Sequence, residues 1–202
     1  MLEFIKTFFF LVAVIDPLGS IPVYLEATKQ FSIRAKRRIA VKASGIALVI
    51  LLFFILVGQE IMEGMHITLP AFQISGGVIL FLFALTMIFG EGKPEEEKHM
   101  IKDYTHVTVF PIAIPSIASP GAIMAVVLLT DNHVYSFWHQ VGTSVAVILV
   151  IIVTCILLLM AGRIQERVGE TGIIVISKIM GLILASFAIQ NILSGIKEYF
   201  NI

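Results

Sequence analysis

The chain has 202 residues, of which 58% are hydrophobic and only 14% charged, with a mean hydropathy of +0.98. Soluble domains carry roughly a quarter charged residues, so this composition excludes an ordinary water-soluble fold and makes the lipid bilayer the first partner. Equal numbers of acidic and basic residues give zero formal charge, which argues against nucleic acid as a partner. A single cysteine, Cys155, excludes an intrachain disulfide.

About 20 apolar residues cross the hydrocarbon core as a helix, and the first such stretch lies near 5–27. Glu3 and Lys6 make a poor basic leader, and Asp16-Pro17 stands where a signal peptide would carry its small-residue cleavage site. The stretch therefore reads as a retained span. It is broken at mid-depth, where the run Phe8 to Ile15 meets Asp16-Pro17-Leu18-Gly19-Ser20-Ile21-Pro22. Irregular backbone at that depth is tolerated only where protein or a water-filled cavity covers it. Asp16 is the sharpest signal. A carboxylate near the bilayer centre costs ~2.5–3.5 kcal/mol on insertion scales and marks a functional site such as a proton relay or cation ligand. Asp16 also precedes Pro17, as an N-cap precedes the first position of a new half-helix, and the two roles are compatible.

The second and third spans are expected near 43–62 and 70–90. The link before the second carries Lys29, Arg34, Lys36, Arg37, Arg38 and Lys42. Gln73 and Ser75 lie in the third span beside Gly76-Gly77, where interhelical hydrogen bonding and close packing are the ordinary roles. Gln73 is kept as a candidate substrate contact. The next link holds Lys93, Lys98 and Lys102 beside the run Glu95-Glu96-Glu97, read as a solvated linker.

The fourth span, near 106–130, repeats the break of the first. Pro111 and Pro115 weaken the lead-in, and Ser119-Pro120-Gly121 has the order of a cap, a first helical position and a close approach. A half-helix opening there presents its positive end to the membrane interior, a ready site for an anion such as a carboxylate. The fifth and sixth spans are expected near 141–161 and 174–196, and Asn191 in the sixth is a further candidate contact.

Three links and their flanks hold nearly every cation, including Arg163, Arg167 and Lys178, leaving only Lys6 and Lys197 elsewhere. The positive-inside rule then places the odd-numbered links in the cytoplasm and both termini outside. Gly77, Leu80 and Phe83-Ala84 recur as Gly181, Leu184 and Phe187-Ala188 at one separation of 104 residues, while Pro17 and Gly19 fall near Pro120 and Gly121. Halves with an odd number of spans face opposite ways across the membrane. The fold expected is thus an all-α membrane protein of six transmembrane helices, arranged as two inverted three-helix repeats with helices one and four broken. One membrane domain covers 1–202, with repeats of about 1–95 and 103–202.

Paired broken helices in inverted repeats point to a substrate site near the midplane of a secondary transporter. The candidate contacts are Asp16, Pro17, Gly19, Ser20, Pro22, Gln73, Ser119, Pro120, Gly121 and Asn191, with Asp16 carrying ion coupling. One break offers an acid and the other a neutral helix N-terminus, an asymmetry that suits a zwitterionic amino acid. No P-loop, dinucleotide-binding glycine pattern, nucleophile elbow or metal spacing is present, so neither an enzyme nor a cofactor is expected beyond a coupling H⁺ or Na⁺.

On these motifs the chain resembles the MarC family of bacterial inner-membrane proteins, also called the neutral amino-acid transporter family. The resemblance rests on Asp16-Pro17-Leu18-Gly19-Ser20-Ile21-Pro22, on Gln73-Ile74-Ser75-Gly76-Gly77 leading to Phe89-Gly90, on Pro111 through Ile123, and on Gly181-Leu182-Ile183-Leu184. It departs from the family pattern at Ser20, often Asn, and at Ser119, often Gly. It implies six spans and a bacterial inner-membrane location, which with the charge asymmetry makes both termini periplasmic, and, for some archaeal relatives, uptake of small neutral amino acids such as glycine and alanine. The rival readings are an exporter of other metabolites or drugs, a channel, and a membrane protein without transport activity. Small residues on several spans also permit a homo-oligomer.

Overall fold

The computed structural model describes residues 2–89, 104–132 and 134–200. The link holding Lys93, Glu95, Glu96, Glu97, Lys98 and Lys102, and the boundary between the two expected repeats, lie outside them. Every regular element among the described residues is helical.

Helix α1 (Leu2–Ile15) ends where Asp16 turns into the left-handed region at φ 47°, and α2 (Ser20–Ala27) resumes the span. The pair meets at 41°. Helix α3 (Ile33–Gly64) starts at Ser32, whose hydroxyl accepts the Ala35 N–H at 3.3 Å. It is longer than the expected span at 43–62. The basic stretch Arg34–Lys42 contains good helix formers and no proline, so the helix runs on out of the hydrocarbon instead of ending as a link. Helix α4 (Leu69–Phe89) matches the third expected span closely.

Beyond a single turn, α5 (Tyr104–Val107), the chain continues as a widened helical stretch from Thr108 to Ile117 that is broken at two residues. Phe110 (φ −117°, ψ 128°) and Ile114 (φ −131°, ψ 128°) are extended, and each precedes a proline. The proline ring crowds the preceding residue out of the α region, so Pro111 and Pro115 unwind the segment twice. Helix α6 (Pro120–Leu128) follows at a 53° bend. Helices α7 (Phe137–Leu159) and α8 (Ala161–Phe200) complete the chain. In α8, Gly169 at φ 73° breaks the helix after its charged opening turns, and the sixth expected span lies within the remainder.

By length and apolarity three helices can cross a membrane alone, namely Ile33–Gly64, Pro70–Phe89 and Phe137–Leu159. Counting each bent pair as one span brings the number to five. Helix α8 stands outside that count. Leu11, Val14, Ile15 and Ile21 of the first bent span meet Ile112, Ile117 and Ala122 of the second in one buried core. Phe9, Leu56, Leu82, Phe89 and Leu193 are exposed, and they form the surface that hydrocarbon covers in a bilayer.

Helix association in lipid relies on close packing and hydrogen bonds, because lipid tails are as apolar as the helix surface. The most extensive contact in the fold, α4 against α8, is built that way. A Cβ added at Gly77 would stand 3.0 Å from the Ala188 carbonyl oxygen, and one at Gly181 would stand 3.1 Å from that of Ala84. Gly195 approaches the Pro70 carbonyl equally closely.

Candidate functional site

The two bends define the candidate site. In the first, the Asp16 carboxylate folds back over the turn and its Oδ1 accepts the Gly19 N–H at 3.0 Å. A Cβ at Gly19 would run into Asp16 Oδ2, so only glycine leaves room for the carboxylate there. The Asp16 carbonyl accepts the Ser20 N–H at 3.1 Å and the Ser20 hydroxyl at 3.2 Å. Aspartate is among the few residues that tolerate the left-handed region, because its short side chain can bond locally to the backbone.

Asp16 is not the cap of α2, which begins only at Ser20 behind Gly19 and without a side-chain cap; the second bend, by contrast, is capped by a neutral residue. Ser119 is extended (ψ 157°), its Oγ accepts the Ala122 N–H at 3.0 Å, and Pro120 takes the first helical position. Asp16 and Ser119 each precede a proline and each accept the amide three residues on.

The bends touch. Ser116 Oγ donates to Ser20 Oγ at 3.0 Å, and Ser20 Oγ lies 3.2 Å from the Ser116 carbonyl oxygen. Ser20, Ser116 and Ser119 are each 1% exposed and Asp16 is 5% exposed, so the junction is closed to solvent in this conformation. A serine pair in an apolar core gains most of its stabilisation from being satisfied, since an unpaired buried hydroxyl costs about 1–3 kcal/mol. Met124 presses on Gly76 and Leu80 on Gly121, which seats the start of α6 against α4.

Of the residues expected at the site, Asp16, Pro17, Gly19, Ser20, Ser119, Pro120 and Gly121 form the two bends, with Pro22 in the first turn of α2. Gln73 and Asn191 fall on α4 and α8, and the hydrogen bonds described at the two bends do not include them. The Asn191 Nδ2 is buried without a hydrogen-bond partner among the described residues. Ser116 was not among the expected contacts, although it is the only polar side chain between Thr108 and Ser119. That isolation beside Pro115 was the available signal.

A further polar contact closes one end of the bundle. The Asn132 N–H donates to Gln59 Oε1 at 2.8 Å, tying α3 to the α6–α7 link, and Gln140 Nε2 donates to the Asn132 side chain. Gln59, Glu60, Thr130, Asn132, Gln140 and Ser144 line a cavity of about 160 Å³ there.

Apolar helices of membrane-crossing length, two bent spans and a lipid-facing apolar surface define an integral, multi-pass helical membrane protein. A family model described as MarC family integral membrane protein matches residues 1–200, and the chain belongs to that family. A UPF0056 membrane protein of Pyrococcus horikoshii is 36% identical over an alignment of 210 residues covering 100% of both chains. One from Aquifex aeolicus is 33% identical, over 96% of this chain and 92% of its own. One from Buchnera aphidicola is 30% identical over 99% of both. Similar proteins thus occur in bacteria and archaea. No solved structure matches the chain.

Proposed function

We infer that the protein is a secondary transporter of a small solute, with small neutral amino acids the favoured class and an H⁺ or Na⁺ gradient the driving force. The observation that carries this reading is the buried contact between bends of opposite halves, Ser20 to Ser116, one turn from the buried carboxylate of Asp16. A structural kink needs neither a buried acid nor a polar junction. A site that binds and releases a polar solute at mid-depth has a use for both.

The packing supports two inverted repeats with α8 as the sixth span. Gly77 approaches Ala188 and Ile192, while Gly181 approaches Ala84 and Ile88. Each residue of one set lies 104 positions from its counterpart in the other. Residue i of one half touching j of the other, and j touching i, is the signature of a two-fold relation. The neighbours follow the same rule, for α1 packs on α7 and the twice-broken stretch packs on α3. In this reading Asp16 binds the coupling ion, the capped start of α6 meets the carboxylate of the substrate, and rocking of one half against the other opens the closed junction. Both termini face outward from the plasma membrane.

The test is uptake of labelled glycine, alanine and serine into proteoliposomes under imposed H⁺ or Na⁺ gradients. Wild-type protein is expected to show saturable, gradient-driven accumulation, and Asp16→Asn to lose accumulation while folding normally. Folded Asp16→Asn that still concentrates substrate would remove the coupling role. Wild-type protein that moves none of the three would remove the amino-acid reading.

A further inference from the structure

A cavity of about 590 Å³ opens where α3 leaves the apolar region, walled by Arg37, Arg38, Val41 and Lys42 of α3 and by Tyr104 of α5. The three cations are exposed, and none forms an ion pair among the described residues, whose salt bridges are Lys6–Glu3 and Lys29–Glu26. The Lys42 ammonium lies 5.2 Å from the centroid of the Tyr104 ring, a cation–π contact that joins the two walls. The feature is therefore an open, shallow cleft between two elements, lined mainly by the carbon stems of the cationic side chains with their charged ends at its rim.

Its depth is set by the sequence. Lys42 is the last charged residue before Ala43–Gly58, which contains none, so the cations stand where hydrocarbon gives way to headgroups. Val41 is 55% exposed, Gly45 has open space beside it, and Val49 and Phe53 continue the same helix face at 68% and 49% exposure. The cleft thus has a cationic head and an apolar track running from it along α3.

We propose that this cleft binds the phosphate of an anionic phospholipid, with one acyl chain lying along Val41, Gly45, Val49 and Phe53. Arginine forks match phosphate oxygens bidentately, and Lys42 adds a point charge beside them. The apolar track selects a lipid over a soluble anion. Tyr104 leads directly into Thr108–Ile117, the segment that presents Ser116, so an occupied cleft braces one of the two bends. The proposal does not depend on the transport reading.

Full-length protein in neutral detergent is titrated with phosphatidylglycerol, with phosphatidylcholine of the same chains, and with inorganic phosphate, following binding by native mass spectrometry and thermal unfolding. Phosphatidylglycerol is expected to bind at least tenfold more tightly than phosphatidylcholine, and inorganic phosphate to give no stabilisation. Arg37→Gln with Lys42→Gln is expected to remove that preference, each cation accounting for roughly a fivefold change. The charge-matched pair Arg163→Gln with Arg167→Gln is expected to leave it intact. Equal binding of the two lipids, or equal loss from the two charge-matched pairs, would overturn the proposal. Protection by inorganic phosphate alone would convert the cleft to a soluble-anion site and overturn it as well.

Discussion

Asp16 occupies a left-handed backbone conformation with its carboxylate pinned over Gly19, so its position is fixed by its own turn as well as by the core around it. Gly19→Ala is therefore expected to expel the carboxylate and abolish driven uptake, with the thermal midpoint lowered. Unchanged uptake in Gly19→Ala would show that the carboxylate position is not what matters. Ser119 is a true helix cap, and Ser119→Ala is expected to cost about 1 kcal/mol, whereas Ser119→Gly is expected to cost only a few tenths. Denaturation of the two variants side by side measures the difference. The Ser119 cap was legible in the sequence, because serine before Pro-Gly in an apolar run reads as one; the same reading expected a cap at Asp16, where a left-handed turn stands instead and α2 starts only at Ser20. Ser116 was not legible, because its meaning lies in a contact with Ser20 that no local pattern encodes.

Among the elements, the two bends differ in construction. The first breaks at a turn of a few residues, whereas the second is interrupted twice within Thr108–Ile117, at the extended pre-proline residues Phe110 and Ile114. The prolines foretold a weakened helix, and their four-residue spacing places the two interruptions at Phe110 and Ile114. The extension of α3 to Ile33 was missed for the opposite reason, since a span was read from hydropathy while helix propensity ignores the membrane boundary. The α4–α8 seam has no room for larger side chains at Gly77 or Gly181. Gly181→Val is expected to destabilise the protein by about 1–3 kcal/mol through overpacking, whereas Gly162→Val, in open space, is expected to change stability far less. Equal thermal midpoints for the two would contradict close packing at the seam.

At the scale of the whole molecule, the proposed repeat draws on the reciprocal approaches of Gly77 and Gly181, and the proposed orientation draws on the charge asymmetry of the links. With Cys155 replaced by alanine, a cysteine at Asn132 is expected to react with an impermeant thiol reagent added to intact cells, and one at Lys29 only after lysis. The reverse pattern would invert the topology. The account stands on the two bends meeting at Ser20 and Ser116 in a closed state and separating to let substrate pass. In the same Cys155-free background, Ser20→Cys with Ser116→Cys places two thiols at that junction for reversible cross-linking in proteoliposomes. The prediction is that oxidation forms the bond and arrests uptake, and that reduction restores it. Cross-linked protein that transports at the reduced rate would contradict the account.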